Sequence, residues 1–462
     1  MSTRFYTCVT KRGKYIFHRY IDNGVPHDEC IEDYPFELFT EIAKESEYKS
    51  IDGKNLKRYQ FDNMSQAYKF LERHDINDVY GNTDFGTQFI AKEYPYDVYE
   101  DKGVKIIYFD IEVEHGTGIP KYFYNYQVKI KKDNDEKIIR LEEIKNYNGY
   151  LIFDVEQKKY VEYNESCYAP LSLGFPEPSL ANYEILSVSI AEPDTNTLYI
   201  IGNRPYNGEK EIDGYKVKYY YCENEKTLLR QFISVWRKIN AHIVSGWNTV
   251  GFDLPYCINR ITNVLGEDYS KMLSPFYGKT KNVITKKMGD DILIYNILGI
   301  VSYDYLDLYK KFGKKVESYR LDFVAELELG VKKVDYDEYG GNLMKLWEYD
   351  YDKFIRYNAR DTTLLPKLND KLQMISLAMS IGYITKSDLK DSLGTVKIWD
   401  NLIYGMLSAE NIQIHNKEKS KTKEEKYLGA YVKPPVLGRH DWIITHDLTS
   451  LNRYGAFHSD MD

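Results

Sequence analysis

The stretch "VKIIYFDIEVE", residues 104–114, predicts a central β-strand that carries two carboxylates. Four apolar residues, 106–109, precede Asp110, which is typical of a strand covered on both faces. Residues two apart along a strand face the same way, so Asp110 and Glu112 project together. Two anions in such a place repel each other and lose hydration unless a cation neutralises them. The pattern indicates a divalent-cation site, and the alternative is an exposed strand end with two solvated acids.

Composition and charge narrow the classes of protein that need to be considered. The 462 residues suffice for two to four domains, and no apolar run approaches the roughly 20 residues of a membrane span, so we expect no membrane partner. The formal charge of −8 argues against non-specific coating of DNA but allows a basic groove around an acidic centre. The five cysteines are scattered without a CxxC pair, which argues against a zinc ribbon or disulfide framework and indicates a reducing cytosol. The N-terminus lacks the apolar core of a signal peptide and is typical of a strand.

Local patterns divide the chain into regions. Residues 1–104 predict a small α+β domain, with strand-like stretches at "YIFHRYID" (15–22) and "DFGTQFIAKEY" (84–94) and a helix at "MSQAYKFLERH" (64–74). Residues 115–173, rich in Lys, Tyr and Asn, lie between two better-defined elements and are interpreted as an insertion peripheral to the cation site.

Regular periodicity continues downstream of that insertion. "EKTLLRQFISVWRKI" (225–239) predicts an amphipathic helix whose apolar face holds Leu228, Phe232, Val235 and Trp236. "AHIVSGW" (241–247) predicts a buried strand, and helices are expected to dominate residues 351–415.

Two further segments place acids where they could join those of the central strand. In "VSGWNTVGFDLPYCINRI" (244–261), a strand leads into a loop at Asn248 and a helix begins near Pro255, so Asp253 lies at a helix N-terminus. In the helical segment "YDKFIRYNARDTTLLPKL" (351–368), Tyr357 and Asp361 are four apart and share one face. The simpler alternatives are an ordinary N-cap for Asp253 and a surface pair for the other two.

Taken in order, the three segments resemble the exonuclease motifs of the family B DNA polymerases, which have the forms D-x-E, N-x-x-x-F-D and Y-x-x-x-D. Within that family, the resemblance is to the replicative polymerases of T-even-like phages. It extends through "GFPEPS" (174–179), "LSPFYGKTK" (273–281) and "DYLDLYKKF" (304–312). It covers nearly all of the chain except residues 115–173 and the last eleven.

The resemblance implies an α/β and α+β multidomain fold. It implies an N-terminal α+β domain (1–104), a ribonuclease-H-like 3′–5′ exonuclease domain with a mixed sheet flanked by helices (105–373), a helical return to the N-terminal domain (374–416), and an incomplete polymerase palm (417–462).

The resemblance also implies the chemistry of the site, a two-metal hydrolysis that removes 3′-terminal nucleotides during proofreading. Two divalent cations, Mg²⁺ or Mn²⁺, are expected between the carboxylates of Asp110, Glu112, Asp253 and Asp361. Tyr357 is expected to orient the attacking water. Contacts to single-stranded or frayed primer DNA are expected from Asn248, Phe252 and Lys333.

The last segment resembles the start of the palm. "YLGAYV" (427–432) resembles the motif that joins the exonuclease and polymerase domains, which implies DNA contacts by Tyr427 and Gly429. "IITHDLTSL" (443–451) resembles the first palm motif, which implies that Asp447 binds the polymerase metals. The family continues there with tyrosine and proline, whereas this chain continues with "NRYGAF" (452–457).

Two explanations of this ending stay open. One is a split polymerase whose remaining palm, fingers and thumb form a second polypeptide, and the other is a product of an interrupted gene. Under either explanation, DNA and a sliding clamp are the expected partners, and the cytoplasm of an infected bacterium is the expected location. A DNA-binding or assembly subunit with a decayed exonuclease is the alternative of another class. A free-standing exonuclease is disfavoured because it has no use for Asp447.

Overall fold

The N-terminal region combines small antiparallel sheets with two helices. The whole protein is described from a computed structural model. The residues that the structure describes are 4–95, 103–114, 127–133, 135–140, 146–154, 159–162, 176–278, 281–287, 290–416 and residue 438. The elements of this region are β1 (Arg4–Arg12), β2 (Tyr15–Asp22), β3 (Val25–Ile31), β4 (Phe36–Glu41), β5 (Tyr48–Ser50), β6 (Asn55–Phe61), α1 (Met64–Leu71), β7 (Val79–Tyr80) and α2 (Phe85–Glu93). Strands β1, β2 and β3 form one sheet, and β5, β6, β4 and β7 are neighbours in another. The expected α+β arrangement is confirmed, and its boundary as a domain stays a prediction.

The expectation of a strand at residues 84–94 is wrong, because this stretch forms helix α2. The Asp84 carboxylate accepts a hydrogen bond from the Gly86 amide at 3.2 Å and caps the helix N-terminus. Phe85, Phe89 and Ile90 are buried, and their spacing places them on one helical face. The cap and this spacing outweigh the β preference of the aromatic residues.

The central region is built around one mixed sheet. Its elements are β8 (Ile106–Val113), β9 (Gln127–Lys132), β10 (Asp135–Arg140), β11 (Leu151–Asp154), β12 (Lys159–Glu162), β13 (Ile185–Glu192), β14 (Thr197–Gly202), β15 (Glu211–Ile212), β16 (Tyr215–Tyr221), α3 (Glu225–Ile239), β17 (Ile243–Gly246), α4 (Asp253–Leu265), α5 (Glu267–Lys271), β18 (Lys281–Lys287), β19 (Asp290–Asn296), β20 (Val301–Asp304) and α6 (Tyr305–Phe312). The sheet has the order β15-β16-β14-β13-β8-β17-β20. Strand β8 runs antiparallel to β13 and parallel to β17, so the predicted mixed sheet is confirmed.

Helices dominate the remainder of the described chain, as the sequence predicts. They are α7 (Leu321–Leu329), α8 (Leu343–Tyr349), α9 (Tyr351–Leu372), α10 (Met374–Ile384) and α11 (Thr395–Ala409), and a short strand β21 (Ile412–Gln413) follows them. Strand β21 pairs in parallel with β5, and the Asn416 side chain donates hydrogen bonds to the carbonyls of Val79 and Gly81. The chain thereby returns to its N-terminal region. Within the described ranges, no helix combines the length and the apolar character that crossing a membrane requires.

Strand β8 is covered on both faces, as the opening stretch predicts. Ile107, Phe109 and Ile111 belong to a hydrophobic core that includes residues of α3 and α4. Tyr108 points into a second core, which includes residues of α9 and of the N-terminal sheets. The predicted helix at residues 225–239 is α3, with its four named apolar residues buried.

Two predicted regions lie partly or wholly outside this description. In residues 115–173, strands β9 to β12 form a separate antiparallel sheet of order β10-β9-β11-β12, and the peripheral placement of the insertion stays a prediction. The compact unit that holds the described elements ends at Asn416. The palm predictions, including Tyr427, Gly429 and Asp447, fall outside the described residues.

Candidate functional site

Strand β8 presents Asp110 and Glu112 on one face. Both side chains are half-buried, and the intervening Ile111 is buried on the opposite face. In the neighbouring strand β13, the serines Ser187 and Ser189 lie opposite Glu112 and Asp110, respectively. Small side chains at these two positions leave room above the sheet for a helix to approach the carboxylates.

Helix α9 occupies that space and brings a third carboxylate. It packs against β8 and β13, and its Asp361 is 7% exposed. One carboxylate oxygen from each of Asp110, Glu112 and Asp361 lies within 4.8 Å of the other two. The residues therefore fit a divalent cation, since the donor set consists of carboxylate oxygens only. In addition, Asp361 Oδ1 is buried and has no hydrogen-bond partner among the residues that the structure describes.

The surroundings of these three carboxylates disfavour their charged form. Burial raises the pKa of Asp110 well above its usual range, and the charges of Asp253 and Glu112 add to this effect. Burial also raises the pKa of Glu112 well above its usual range, with a further contribution from Asp361. The pKa of Asp361 is likewise raised by burial, although the Lys333 ammonium acts in the opposite direction. A bound cation would remove this penalty for all three groups.

Asp253 lies beside this cluster rather than in it. It is the first residue of α4, whose N-cap is Phe252, and it is 4% exposed. The alternative of an ordinary N-cap at Asp253 is therefore wrong. Burial, followed by the charge of Asp304, raises the pKa of Asp253 to about 7. Its charge acts on Asp110 and Glu112. Of the acids that the structure describes, however, only the other three have oxygens that all lie within 4.8 Å of one another here.

Lys333 and Tyr357 form the charged and aromatic wall of the site. Lys333 Nζ donates to Asp361 Oδ2 at 2.5 Å and lies 5.4 Å from the centre of the Tyr357 ring. Tyr336 meets the same ring edge to face, with 5.2 Å between centroids. Burial and the neighbouring Asp361 raise the pKa of Tyr357, so its phenol remains protonated at neutral pH. Its helical position facing Asp361 agrees with the sequence prediction.

An open cleft of about 710 Å³ leads to these residues. Its lining combines acidic, basic and aromatic side chains, and includes Asp110, Asp361, Tyr357, Lys333, Asn248, Trp247, Tyr319, Arg320 and Tyr336. Of the residues predicted to contact DNA, Asn248 and Lys333 thus lie on the cleft. Phe252 instead packs against the core around α4, with its ring 5.5 Å from that of Tyr256.

Two functional candidates were not predicted from the sequence. Asp304 ends β20 and accepts hydrogen bonds from the backbone amides of Asn248, Val250 and Leu306 at 3.0 to 3.1 Å. It thereby holds the loop that presents Asn248, whose φ of 63° is left-handed. The available signal was the acid between a buried strand and a helix in "VSYDYLDLY" (301–309).

The second unpredicted candidate is Asn358, which directly follows Tyr357 in α9. It is fully buried, and its Nδ2 donates to Asp110 Oδ2 at 2.7 Å. A polar residue in the interior of an otherwise packed helix was the available signal, but the sequence alone does not identify its partner.

A comparison with models of protein families matches part of the chain. Residues 125–324 match the sequence model described as DNA polymerase family B, exonuclease domain. This range contains Asn248 and Asp253, whereas Asp110, Glu112, Tyr357 and Asp361 lie outside it.

Individual relatives extend the similarity over most of the chain. The chain is 31% identical to the DNA-directed DNA polymerase of Escherichia phage RB69 and 28% identical to that of Enterobacteria phage T4, in each case over 97% of this chain and 46% of the relative. It is 27% identical to DNA polymerase 1 of Sulfolobus acidocaldarius over 70% of this chain and 37% of the relative. The chain thus spans about half the length of the curated relatives that it matches most extensively.

Proposed function

We propose that this chain, in which residues 125–324 match the exonuclease domain model of the family B DNA polymerases, is a 3′–5′ proofreading exonuclease that removes terminal nucleotides from DNA by two-metal hydrolysis. The observation that carries the proposal is the convergence of Asp110, Glu112 and Asp361 at the end of an open cleft. Three partly or fully buried acids at one point are costly unless a cation occupies it.

In the proposed mechanism, the carboxylates, the Tyr357 phenol and the Lys333 ammonium have different roles. Asp110, Glu112 and Asp361 would hold Mg²⁺ or Mn²⁺, and Asp253 adds negative charge beside them. When bound, such cations would supply a hydroxide from water and neutralise the leaving 3′-oxygen. The neutral phenol of Tyr357 orients the water, because a protonated hydroxyl can both donate and accept a hydrogen bond. The Lys333 ammonium offers its positive charge to the phosphate that is cut.

The cleft walls suit a single-stranded or frayed 3′ end. Trp247, Tyr319 and Tyr336 provide aromatic surfaces on which bases of any identity can stack. Fraying a mismatched end costs less than fraying a paired one, so a mismatched primer is the preferred substrate. The released product is a deoxynucleoside 5′-monophosphate.

DNA synthesis is proposed only together with the remaining elements of a polymerase. In this proposal, Asp447 contributes to a polymerase site that also requires palm, fingers and thumb elements. Tyr427 and Gly429 contact the DNA between the two sites. A sliding clamp and the cytoplasm of a phage-infected bacterium complete the proposed setting.

The test of the exonuclease is a double substitution in β8. Asp110→Ala with Glu112→Ala should abolish Mg²⁺-dependent degradation of a 3′-labelled single strand, because two of the three clustered carboxylates are lost. The metal-free variant should remain folded, since removing clustered anions relieves their repulsion. Gel analysis of the labelled strand and thermal unfolding in EDTA measure the two effects.

The matched control removes two exposed acids, by Asp268→Ala with Glu317→Ala. It changes the net charge by the same amount and should leave degradation unchanged. Degradation that persists in the β8 variant, or in EDTA with the unsubstituted protein, would contradict the proposal.

A further inference from the structure

A buried hydrogen-bond relay connects the sheet to the first carboxylate of the site. Ser187 Oγ, on β13, donates to Asn358 Oδ1 at 2.5 Å, and Asn358 Nδ2 donates to Asp110 Oδ2 at 2.7 Å. Ser187 and Asn358 are both fully buried. Each link has a fixed direction, because an amide oxygen only accepts and an amide nitrogen only donates.

The relay determines which side of Asp110 stays available. Oδ2 is occupied by the Asn358 amide, so Oδ1 is left for other partners. Asp361 is arranged in the same way. Lys333 donates to its Oδ2, and its buried Oδ1 has no hydrogen-bond partner within the described ranges of the chain. Two of the three clustered carboxylates thus have one oxygen tied to an N–H donor.

Packing alone does not account for Asn358. Asparagine is a weak helix former, and a buried amide costs free energy unless it is hydrogen-bonded. Leucine, whose side chain has the same number and branching of non-hydrogen atoms, would suit the interior of α9 better on both counts. The amide is therefore expected to serve the carboxylate that it contacts.

We infer that Asn358 is a positioning residue, held by Ser187, that orients the Asp110 carboxylate for binding a divalent cation. The inference rests on the proposed function, because it concerns the same carboxylate cluster. Asn358 lies three residues before Asp361 on α9, so one rigid helix places both the orienting amide and a second cation ligand.

The experiment measures Mn²⁺ binding directly, by electron paramagnetic resonance of the free ion, in the full chain without DNA. Asn358→Leu should weaken Mn²⁺ binding by about tenfold, the lower end of the loss seen when an outer partner of a metal ligand is removed. Ser187→Ala should weaken it less, because the amide can still donate but is no longer held. The double variant should bind Mn²⁺ as weakly as Asn358→Leu alone, since Ser187 acts only through Asn358.

The matched control is Asn369→Ala, which removes another buried asparagine of α9, about 16 Å further along the helix. Its amide oxygen accepts from the Ile375 backbone and takes no part in the relay. This variant should bind Mn²⁺ as the unsubstituted chain does, even if it lowers the melting temperature. A fall in Mn²⁺ affinity equal to that of Asn358→Leu would mean that α9 stability, not orientation, sets the affinity.

The outcomes separate this inference from the proposed function. If the unsubstituted chain binds no Mn²⁺ and degrades no DNA, the proposed function fails. If the unsubstituted chain does both, and Asn358→Leu and Ser187→Ala each bind Mn²⁺ as tightly as it does, only the inference is overturned. Additive losses in the double variant would overturn the relay. Should Asn358→Leu fail to fold, Ser187→Ala decides alone, and unchanged affinity overturns the inference.

Discussion

At the scale of single residues, Lys333 has two opposing roles in the proposed function. Its ammonium contacts Asp361 and would compete with a cation for the same carboxylate. It also lies on the cleft, which in the proposed function receives the DNA phosphate. Although burial lowers its pKa, the surrounding acids outweigh this effect and the pKa of Lys333 is raised. The side chain therefore stays charged throughout the neutral range.

Lys333→Met should change cation binding and cleavage in opposite directions. Losing a positive charge beside Asp361 should tighten Mn²⁺ binding by about tenfold, which corresponds to roughly 1.4 kcal/mol. Cleavage of a single strand should slow by about a hundredfold, since a charge that stabilises the phosphoryl group is lost. Mn²⁺ titration and single-turnover cleavage measure the two effects. The adjacent Lys332→Met, 78% exposed, is the control and should alter neither. Weaker Mn²⁺ binding by Lys333→Met would refute this assignment.

At the scale of elements, a buried ion pair joins α3 to α4. Arg260 donates to both oxygens of Glu225, from Nε at 2.7 Å and Nη2 at 2.6 Å, and neither side chain is more than 6% exposed. Glu225 also accepts from the Ile185 amide, and Arg260 donates to the Ala181 carbonyl. The pair thus ties two helices to the start of β13, the strand that carries Ser187.

Arg260→Met should lower the free energy of unfolding by about 3 to 5 kcal/mol, because it leaves the Glu225 charge buried without a partner. Urea denaturation followed by circular dichroism measures the loss. Arg260→Met with Glu225→Gln should be less destabilised than Arg260→Met alone, since glutamine is uncharged and can still accept from Ile185. The control Lys271→Met, which breaks an exposed pair with Asp268 on α5, should have no measurable effect. A double variant less stable than Arg260→Met would contradict this account.

At the scale of the whole molecule, the N-terminal and central regions share one interior. The fully buried Arg19 of β2 donates to the carbonyls of Ala241 and Gly299 in the central region, at 2.7 and 2.9 Å. Residues of β1 also belong to the same hydrophobic core as Tyr108 of β8. Strain at the acidic site is therefore expected to affect the stability of the entire unit, rather than of one domain.

The metal-free protein should lose stability as the pH rises through about 7. The pKa of Asp253 is raised to about 7 in the fold, by burial first and then by Asp304, against about 3.9 in an unfolded chain. The folded state therefore binds a proton at Asp253 more tightly than the unfolded state does. The stability that this proton contributes is complete below pH 4 and is lost as the pH approaches and passes 7. Between pH 5 and pH 8 in EDTA, the melting temperature should fall by several degrees more than in Asp253→Asn.

Scanning calorimetry at several pH values checks this expectation. Asparagine keeps a hydrogen-bond acceptor at this position and removes the titrating group, so Asp253→Asn isolates its contribution. Addition of Mg²⁺ at pH 8 should restore most of the loss in the unsubstituted protein. Equal pH slopes in the two proteins would show that Asp253 does not titrate in this range.

Local sequence determined several elements of this protein and the order of its motifs. Alternation and apolar content specified β8, 3.6-residue periodicity specified α3, and the four-residue spacing of Tyr357 and Asp361 placed both on one face of α9. Each of these is a short-range property of the backbone, so a window of a dozen residues contains the information. The mistake at α2 arose where a helix cap competed with the β preference of aromatic residues.

Only the tertiary structure decided which of the acids meet. The family resemblance implied that four carboxylates converge, but the packing of α9 across β8 and β13 brings Asp361 to Asp110 and Glu112 and leaves Asp253 beside them. The same packing created the contacts of Asn358 with Ser187 and Asp110, which lie 171 and 248 residues away along the chain. Periodicity fixes the face on which a side chain lies, whereas distances between side chains on separate elements depend on how those elements pack.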